Sequence, residues 1–298
     1  MDAIFIGGCN RSGTTMLGSM LGASKTCFTT PESQFKNILS NEKLNAEQIL
    51  TFINNNFRFK LWGIGPLQNN QIQEKKDIFK YILASYKKQK KIDPNKQIWI
   101  DHTPDNFENF SLLIEYFPNA KFIHLIRDSR GVAASVMPLD WGPNDAFQAS
   151  DYWSKKIAFG LAAEVFFPEK VVHVKFEDIV NNPEQTIKNL CHKLNIVYHP
   201  EMIKGDKSFL PNYTLKQHAL VGNMPSANKI DSWKQKLTAE EIKIIEGSTR
   251  QLLMLFGYNV GYVEYKITLL KKMTMGISKV YKRIYSKTMI KIRQKKSI

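Results

Sequence analysis

The sequence predicts an α/β fold, a single domain with a central parallel sheet flanked by helices. Two observations carry this expectation. Short apolar runs rich in β-branched residues alternate with longer stretches of helical periodicity. The first of these runs also passes directly into a glycine-containing loop and then a helix, the layout of a phosphate-binding turn. A length of 298 residues with 43% hydrophobic content is enough to bury a full core.

In chain order, residues 3–7, 26–29, 97–101, 121–126 and 171–176 are predicted strands. Helical patterns cover 14–21, 46–54, 75–90, 105–116, 151–166, 183–194 and 239–255. Two of these carry start signals: Asn182 precedes Pro183 at the first helical position, and Thr238 with Glu241 forms a capping-box pattern. Residues 39–96 and 137–151 interrupt the strand rhythm and are expected to cover the ligand end of the sheet. There is no internal repeat and no Gly/Ser- or Pro-rich linker, so residues 1–262 are expected to form one domain, followed by a basic tail over 263–298.

The loop after the first strand reads Gly8-Cys9-Asn10-Arg11-Ser12-Gly13-Thr14-Thr15. Gly8 and Gly13 permit the turns that aim successive backbone N–H groups, backed by a helix N-terminus, at an anion. The frame is that of a P-loop NTPase, but Thr14 stands where that motif needs Lys. A kinase uses this Lys on a triphosphate, together with a magnesium carboxylate. Here Arg11 supplies the cation inside the loop, and the Thr14 and Thr15 hydroxyls add two more donors, which suits a shorter donor. After the strand 121–126 comes Arg127-Asp128-Ser129-Arg130-Gly131-Val132-Ala133-Ala134-Ser135, where a turn and a helix are expected to return Ser135 beside Arg127.

These two segments resemble the sulfotransferase superfamily. Its 5′-phosphosulfate loop reads Arg/Lys-Ser-Gly-Thr-Thr, and its 3′-phosphate site pairs an Arg at a strand end with a Ser eight residues later. The stretch Val172-His173-Val174-Lys175-Phe176-Glu177-Asp178-Ile179 is similar to the family's Tyr-Glu-Asp-Leu segment, with Phe176 where many members place a Tyr against adenine. A looser likeness extends through 218–223, Trp233-Lys234 and Gly257-Tyr258, so it spans about residues 3–262. The resemblance implies a P-loop-NTPase-like sulfotransferase fold with no metal. It implies 3′-phosphoadenosine 5′-phosphosulfate (PAPS) as donor, held by Gly8, Asn10, Arg11, Ser12, Gly13, Thr14, Thr15, Arg127, Ser135 and Phe176. The acceptor would be a hydroxyl or amine on a glycan, lipid or peptide.

In-line sulfuryl transfer needs a base, cations over the oxygens that gain charge, and a held leaving group. Arg11 is the expected charge stabiliser. Glu32, in Thr30-Pro31-Glu32-Ser33, resembles the acidic base of tyrosylprotein and some carbohydrate sulfotransferases. His102, in Asp101-His102-Thr103-Pro104, is the rival base, since its ordinary pKa lies near neutrality. Relatives often carry Lys there, so its role stays open. His218 is a weaker candidate near the acceptor.

The formal charge of +15 is unevenly spread: residues 263–298 hold 11 Lys+Arg and only Glu264, leaving +5 for residues 1–262. A mildly basic body argues against nucleic acid as the partner. In the tail, Leu270, Met273, Ile277, Tyr281 and Ile284 recur at helical spacing among lysines, a basic amphipathic pattern suited to an anionic membrane surface. Cys9, Cys27 and Cys191 form no paired or metal-binding pattern, and no apolar run reaches the roughly 18 residues of a membrane span. A cytoplasmic protein, membrane-associated through its tail, is therefore expected. The alternatives are a P-loop kinase of small molecules and an adaptor built around the tail.

Overall fold

The computed structural model describes residues 2–68, 72, 74–210, 221–224, 226–261, 285–286 and 288–289. His218 and almost all of the tail at 263–298 lie outside the described residues. Five strands form one sheet: β1 (Ala3–Gly8), β2 (Cys27–Thr29), β3 (Ile98–Asp101), β4 (Lys121–Ile126) and β5 (Val171–Lys175). Their order is β2-β3-β1-β4-β5 and every pairing is parallel. The helices are α1 (Thr14–Gly22), α2 (Ala46–Asn55), α3 (Phe57–Lys60), α4 (Ile78–Gln89), α5 (Phe110–Tyr116), α6 (Ser129–Val136), α7 (Ala146–Phe166), α8 (Phe176–Asn181), α9 (Pro183–Leu194) and α10 (Ala239–Leu255).

Side-chain alternation along the strands divides the core into two layers. On one face Ile4, Ile6, Ile100, Ile123 and Leu125 pack on α1 and α9. On the other, Phe5, Phe28, Trp99 and Phe122 meet α2, α4, α5 and the Ala163 turn of α7. The interrupting segment 39–96 was expected over the end of the sheet. Trp62 does reach that end, donating its indole N–H to the Glu32 carbonyl at 3.3 Å, while α2 and α4 bury Ile49, Leu50, Ile53, Phe79, Ile82 and Leu83 against a sheet face through their apolar stripes.

Several boundaries differ from the sequence expectation for local reasons. α7 begins at Ala146 rather than 151, because the Asp145 carboxylate accepts the Gln148 N–H at 2.9 Å and caps the helix there. The expected helix over 105–116 is a 3₁₀ stretch, Pro104–Asn109, followed by α5. β5 stops at Lys175, and Phe176 opens α8 instead of ending the strand.

Chain direction fixes where a ligand enters. From β1 the chain crosses by α1 to β2 on one side, and from β4 it crosses by α6 and α7 to β5 on the other. The neighbouring carboxyl ends of β1 and β4 thus form the switch point at which open parallel sheets bind ligands.

Candidate active site

The loop leaving β1 is held in a conformation few residues tolerate. Gly8 has φ 151°, and a Cβ there would come within 2.3 Å of the Leu125 carbonyl oxygen. Arg11 is one of three described non-glycine residues with positive φ, at 71°. Such a conformation costs on the order of 1 kcal/mol and persists only where neighbours impose it. One neighbour is Arg127, whose Nη1 donates to the Arg11 carbonyl at 2.7 Å. Asn10 is fixed from outside the loop by the Tyr152 hydroxyl, which donates to its Oδ1 at 2.5 Å.

Gly13, at φ 100°, is the N-cap of α1, with no side-chain cap and no acidic residue in the first turn. The N-terminal backbone donors of α1 are thus not capped by a side chain, at the positive end of the helix dipole. The Ser12 hydroxyl is fully buried beside them without a hydrogen-bond partner among the described residues. Thr14 and Thr15 are buried at the same turn. An uncapped helix start with an orphaned hydroxyl is a fit for an anion.

Arg127 follows β4, and α6 brings Ser135 back toward the loop. The Arg11 Nε donates to Ser135 Oγ at 3.1 Å, so residues 124 positions apart meet and the two expected phosphate sites are contiguous. The Arg127 guanidinium lies 4.3 Å over the Phe176 ring, and its Nη2 donates to the Lys229 carbonyl at 3.3 Å. Phe176 is 1% exposed, wedged against Gly13, so here its ring supports Arg127 and the loop from below instead of presenting a face to solvent. Glu177 accepts the Asp128 N–H at 3.1 Å and the Tyr258 hydroxyl at 2.7 Å, tying α8 to the start of α6.

Glu32 sits half-buried after β2. Burial pushes its carboxyl up to about 7, against the opposing pull of Arg58 and a hydrogen bond donated by the Gln34 amide. Burial likewise lowers the Arg11 pKa, and the Glu32 charge opposes that shift, which places the two groups in one electrostatic neighbourhood. His102 is enclosed. It is 2% exposed, packed between Gly18 of α1 and the Phe209 ring 5.2 Å away, and burial brings its pKa down to about 4. Asn10, Arg11, Glu32, Arg127 and Ser135 are all partly exposed, whereas His102 and Phe176 are enclosed.

A cluster not anticipated from the sequence lies beneath Glu32. Lys36 and Asp101, both fully buried, form an ion pair at 3.3 Å and share partners with Ser33, Thr103 and Asn106. Lys36 carries no motif that distinguishes it from a surface lysine. The one available signal was that Ser33 and Asp101 flank the two candidate bases.

The family model described as "Sulfotransferase family" matches residues 3–200. A protein-tyrosine sulfotransferase A of Caenorhabditis elegans is 26% identical over 221 residues, covering 70% of this chain and 55% of that protein. An uncharacterized protein of Aquifex aeolicus is 23% identical over 271 residues, covering 84% of this chain and 33% of that one. The chain thus spans about a third to a half of the curated relatives it matches. Among solved structures, the sulfotransferase domain from the Synechococcus PCC 7002 olefin synthase superposes with a TM-score of 0.62 at 20% identity, covering 88% of this chain and 96% of that domain. The sulfotransferase domain from the curacin biosynthetic pathway gives 0.59 at 18% identity, covering 87% and 98%. With two thirds of its length matched by the family model and the same fold as two sulfotransferase domains, the chain belongs to the sulfotransferase family.

Proposed function

We propose that the chain transfers a sulfuryl group from PAPS to an acceptor hydroxyl or amine, with Glu32 as general base. The observation that carries this reading is the contiguity of the uncapped α1 loop with the Arg127–Ser135 pair, linked by the Arg11–Ser135 hydrogen bond. Two adjacent anion sites suit a nucleotide with one phosphate at 3′ and a phosphosulfate at 5′. The donor supplies the activated sulfuryl group. Arg127 and Ser135 hold its 3′-phosphate, while Ser12, Thr14, Thr15 and the α1 backbone hold the 5′ end. Arg11 stabilises the charge that develops at the transferring and leaving oxygens. Glu32 takes the acceptor proton as the new S–O or S–N bond forms, and the leaving 5′-phosphate departs against Arg11 and the helix start. Enclosure of His102 beneath α1 favours Glu32 over His102 for this step.

This reading predicts that adenosine 3′,5′-bisphosphate binds without magnesium and in preference to ATP, as calorimetry in EDTA would record. A P-loop kinase would show the reverse preference and a magnesium requirement. Radiolabelled PAPS incubated with extracts of the source cell, followed by product identification, addresses the acceptor.

The tail supports a second proposal, association with an anionic membrane surface. No helix among the described residues is long and apolar enough to cross a membrane. The net charge of +10 over residues 263–298 supplies attraction of about 1 kcal/mol per cation near such a surface. Co-sedimentation with vesicles containing phosphatidylserine is expected at low salt and should weaken at high salt. Equal binding to neutral vesicles, or none to either, would overturn it, and removing 263–298 should leave bisphosphate binding intact.

A further inference from the structure

We propose that the buried Lys36–Asp101 ion pair is a positioning device for Glu32, a role that rests on Glu32 being the base. Both side chains are 0% exposed, and the pair closes at 3.3 Å. A buried ion pair is a poor source of stability, because the desolvation of two charges consumes most of their attraction, and apolar replacements often fold as well or better. What such a pair does provide is a fixed geometry.

The hydrogen bonds around it converge on the segment that carries Glu32. Asp101 Oδ1 accepts the Thr103 N–H at 2.8 Å and its hydroxyl at 2.6 Å. Thr103 Oγ1 in turn accepts the Ser33 N–H at 2.9 Å, and the Ser33 hydroxyl donates to Asp101 Oδ2. Lys36 Nζ donates to Asp101, to Ser33 Oγ at 3.2 Å and to Asn106 Oδ1. Asn106 anchors the whole to the sheet through Ile6 O at 2.9 Å and Asp101 O at 3.2 Å. On the other side of Glu32, its carbonyl accepts the Trp62 indole N–H at 3.3 Å, and Phe35 packs on Phe59 and Trp62. The Glu32–Ser33 peptide is therefore held from both ends. These anchors fix the backbone from which the Glu32 side chain leaves, and the Glu32 charge acts on Arg11. Asp101 also lies close enough for its negative charge to oppose ionisation of Glu32, so the same cluster that places the carboxyl helps to keep its proton affinity high.

The test compares Asp101→Asn, Glu32→Gln and the double variant in the full chain, with hydrolysis of radiolabelled PAPS by water as the probe reaction. Asp101→Asn is expected to keep bisphosphate affinity within about threefold and to lose roughly tenfold to a hundredfold in single-turnover rate, the effect of displacing a base by about an ångström. Its Glu32 carboxyl, followed by ¹³C NMR, should titrate below the parent value of about 7, because a neighbouring negative charge has been removed. In the Glu32→Gln background, Asp101→Asn should cost nothing further. A purely structural role would lower thermal stability while leaving the rate of the folded fraction and the Glu32 titration unchanged, and that result overturns the proposal. Full rate in Glu32→Gln would instead remove Glu32 as the base, whatever Asp101→Asn does. If Asp101→Asn does not fold, Thr103→Val, which leaves both members of the ion pair in place while deleting the acceptor for the Ser33 N–H and the hydroxyl donor to Asp101, should still slow turnover severalfold. An unaltered rate in that variant counts against the proposal.

Discussion

Glu32→Gln is expected to bind adenosine 3′,5′-bisphosphate as the parent chain does while turning over about a hundredfold to ten-thousandfold more slowly. The amide keeps the shape of the carboxylate and can still accept a hydrogen bond, but it cannot take a proton at neutral pH. Donor affinity should survive because the residues assigned to the phosphates, Arg11, Ser12, Arg127 and Ser135, belong to the loop after β1, the end of β4 and α6. The pH dependence has a definite sign. A general base must be ionised, and burial raises this carboxyl from 4.5 to about 7, so kcat/KM should rise with pH through about 7 and fall below it. A carboxylate in water would place that limb near its ordinary value, more than two units lower. His102 predicts a flat profile near neutrality, since burial lowers it to about 4 and it would already be neutral across the working range. A single-turnover assay at saturating donor distinguishes them: near-full rate in Glu32→Gln together with loss of activity in His102→Ala assigns the base to His102.

Arg127→Ala is expected to weaken bisphosphate binding tenfold to more than a hundredfold, corresponding to about 1.5 to 3 kcal/mol for a charge-assisted hydrogen bond. The loss should be specific to the 3′-phosphate. Adenosine 5′-phosphate, which lacks that group, should bind the parent chain more weakly than the bisphosphate does, and Arg127→Ala should narrow the gap. The structure adds a consequence beyond the lost contact. Arg127 also donates to the carbonyl of Arg11, the residue held at positive φ, and rests on Phe176 against Gly13. Removing it releases a restraint on the loop at the 5′ end, so turnover should fall along with affinity. Arg127→Lys retains the charge but not the planar fork, and it should restore binding only in part. Calorimetry on the three proteins reads the first effect, and single-turnover rates read the second. An unchanged bisphosphate affinity in Arg127→Ala would detach the second motif from the donor site.

The elements that were legible in sequence are those whose signal is local. The strand positions followed from short β-branched runs, and α9 and α10 from Pro183 and from the Thr238–Glu241 box, whose reciprocal hydrogen bonds are present. The candidate phosphate loop stood out because glycines, hydroxyls and an arginine at fixed spacing after a strand have few other uses. What failed locally did so where a neighbour decided the outcome. Phe176 belongs by composition to a strand but starts α8, buried in the core beside Gly13 and Arg127. The helical periodicity at 46–54 and 75–90 was legible, but not where those helices pack: α2 and α4 form part of the second core layer because the aromatic face of β2, β3 and β1 has to be covered.

The sequence by itself determined the parallel α/β architecture, the two candidate anion-binding segments, the family resemblance and the candidates Glu32 and His102. Only the tertiary structure decided that Arg11 reaches Ser135, that Glu32 shares an electrostatic neighbourhood with Arg11 while His102 is enclosed under α1, and that Lys36 is paired with Asp101 inside the fold. The physical reason is one of range. Backbone conformation and loop chemistry are set by residues a few positions apart, whereas proton affinity and pairing depend on burial and on charges brought close by strands distant in sequence.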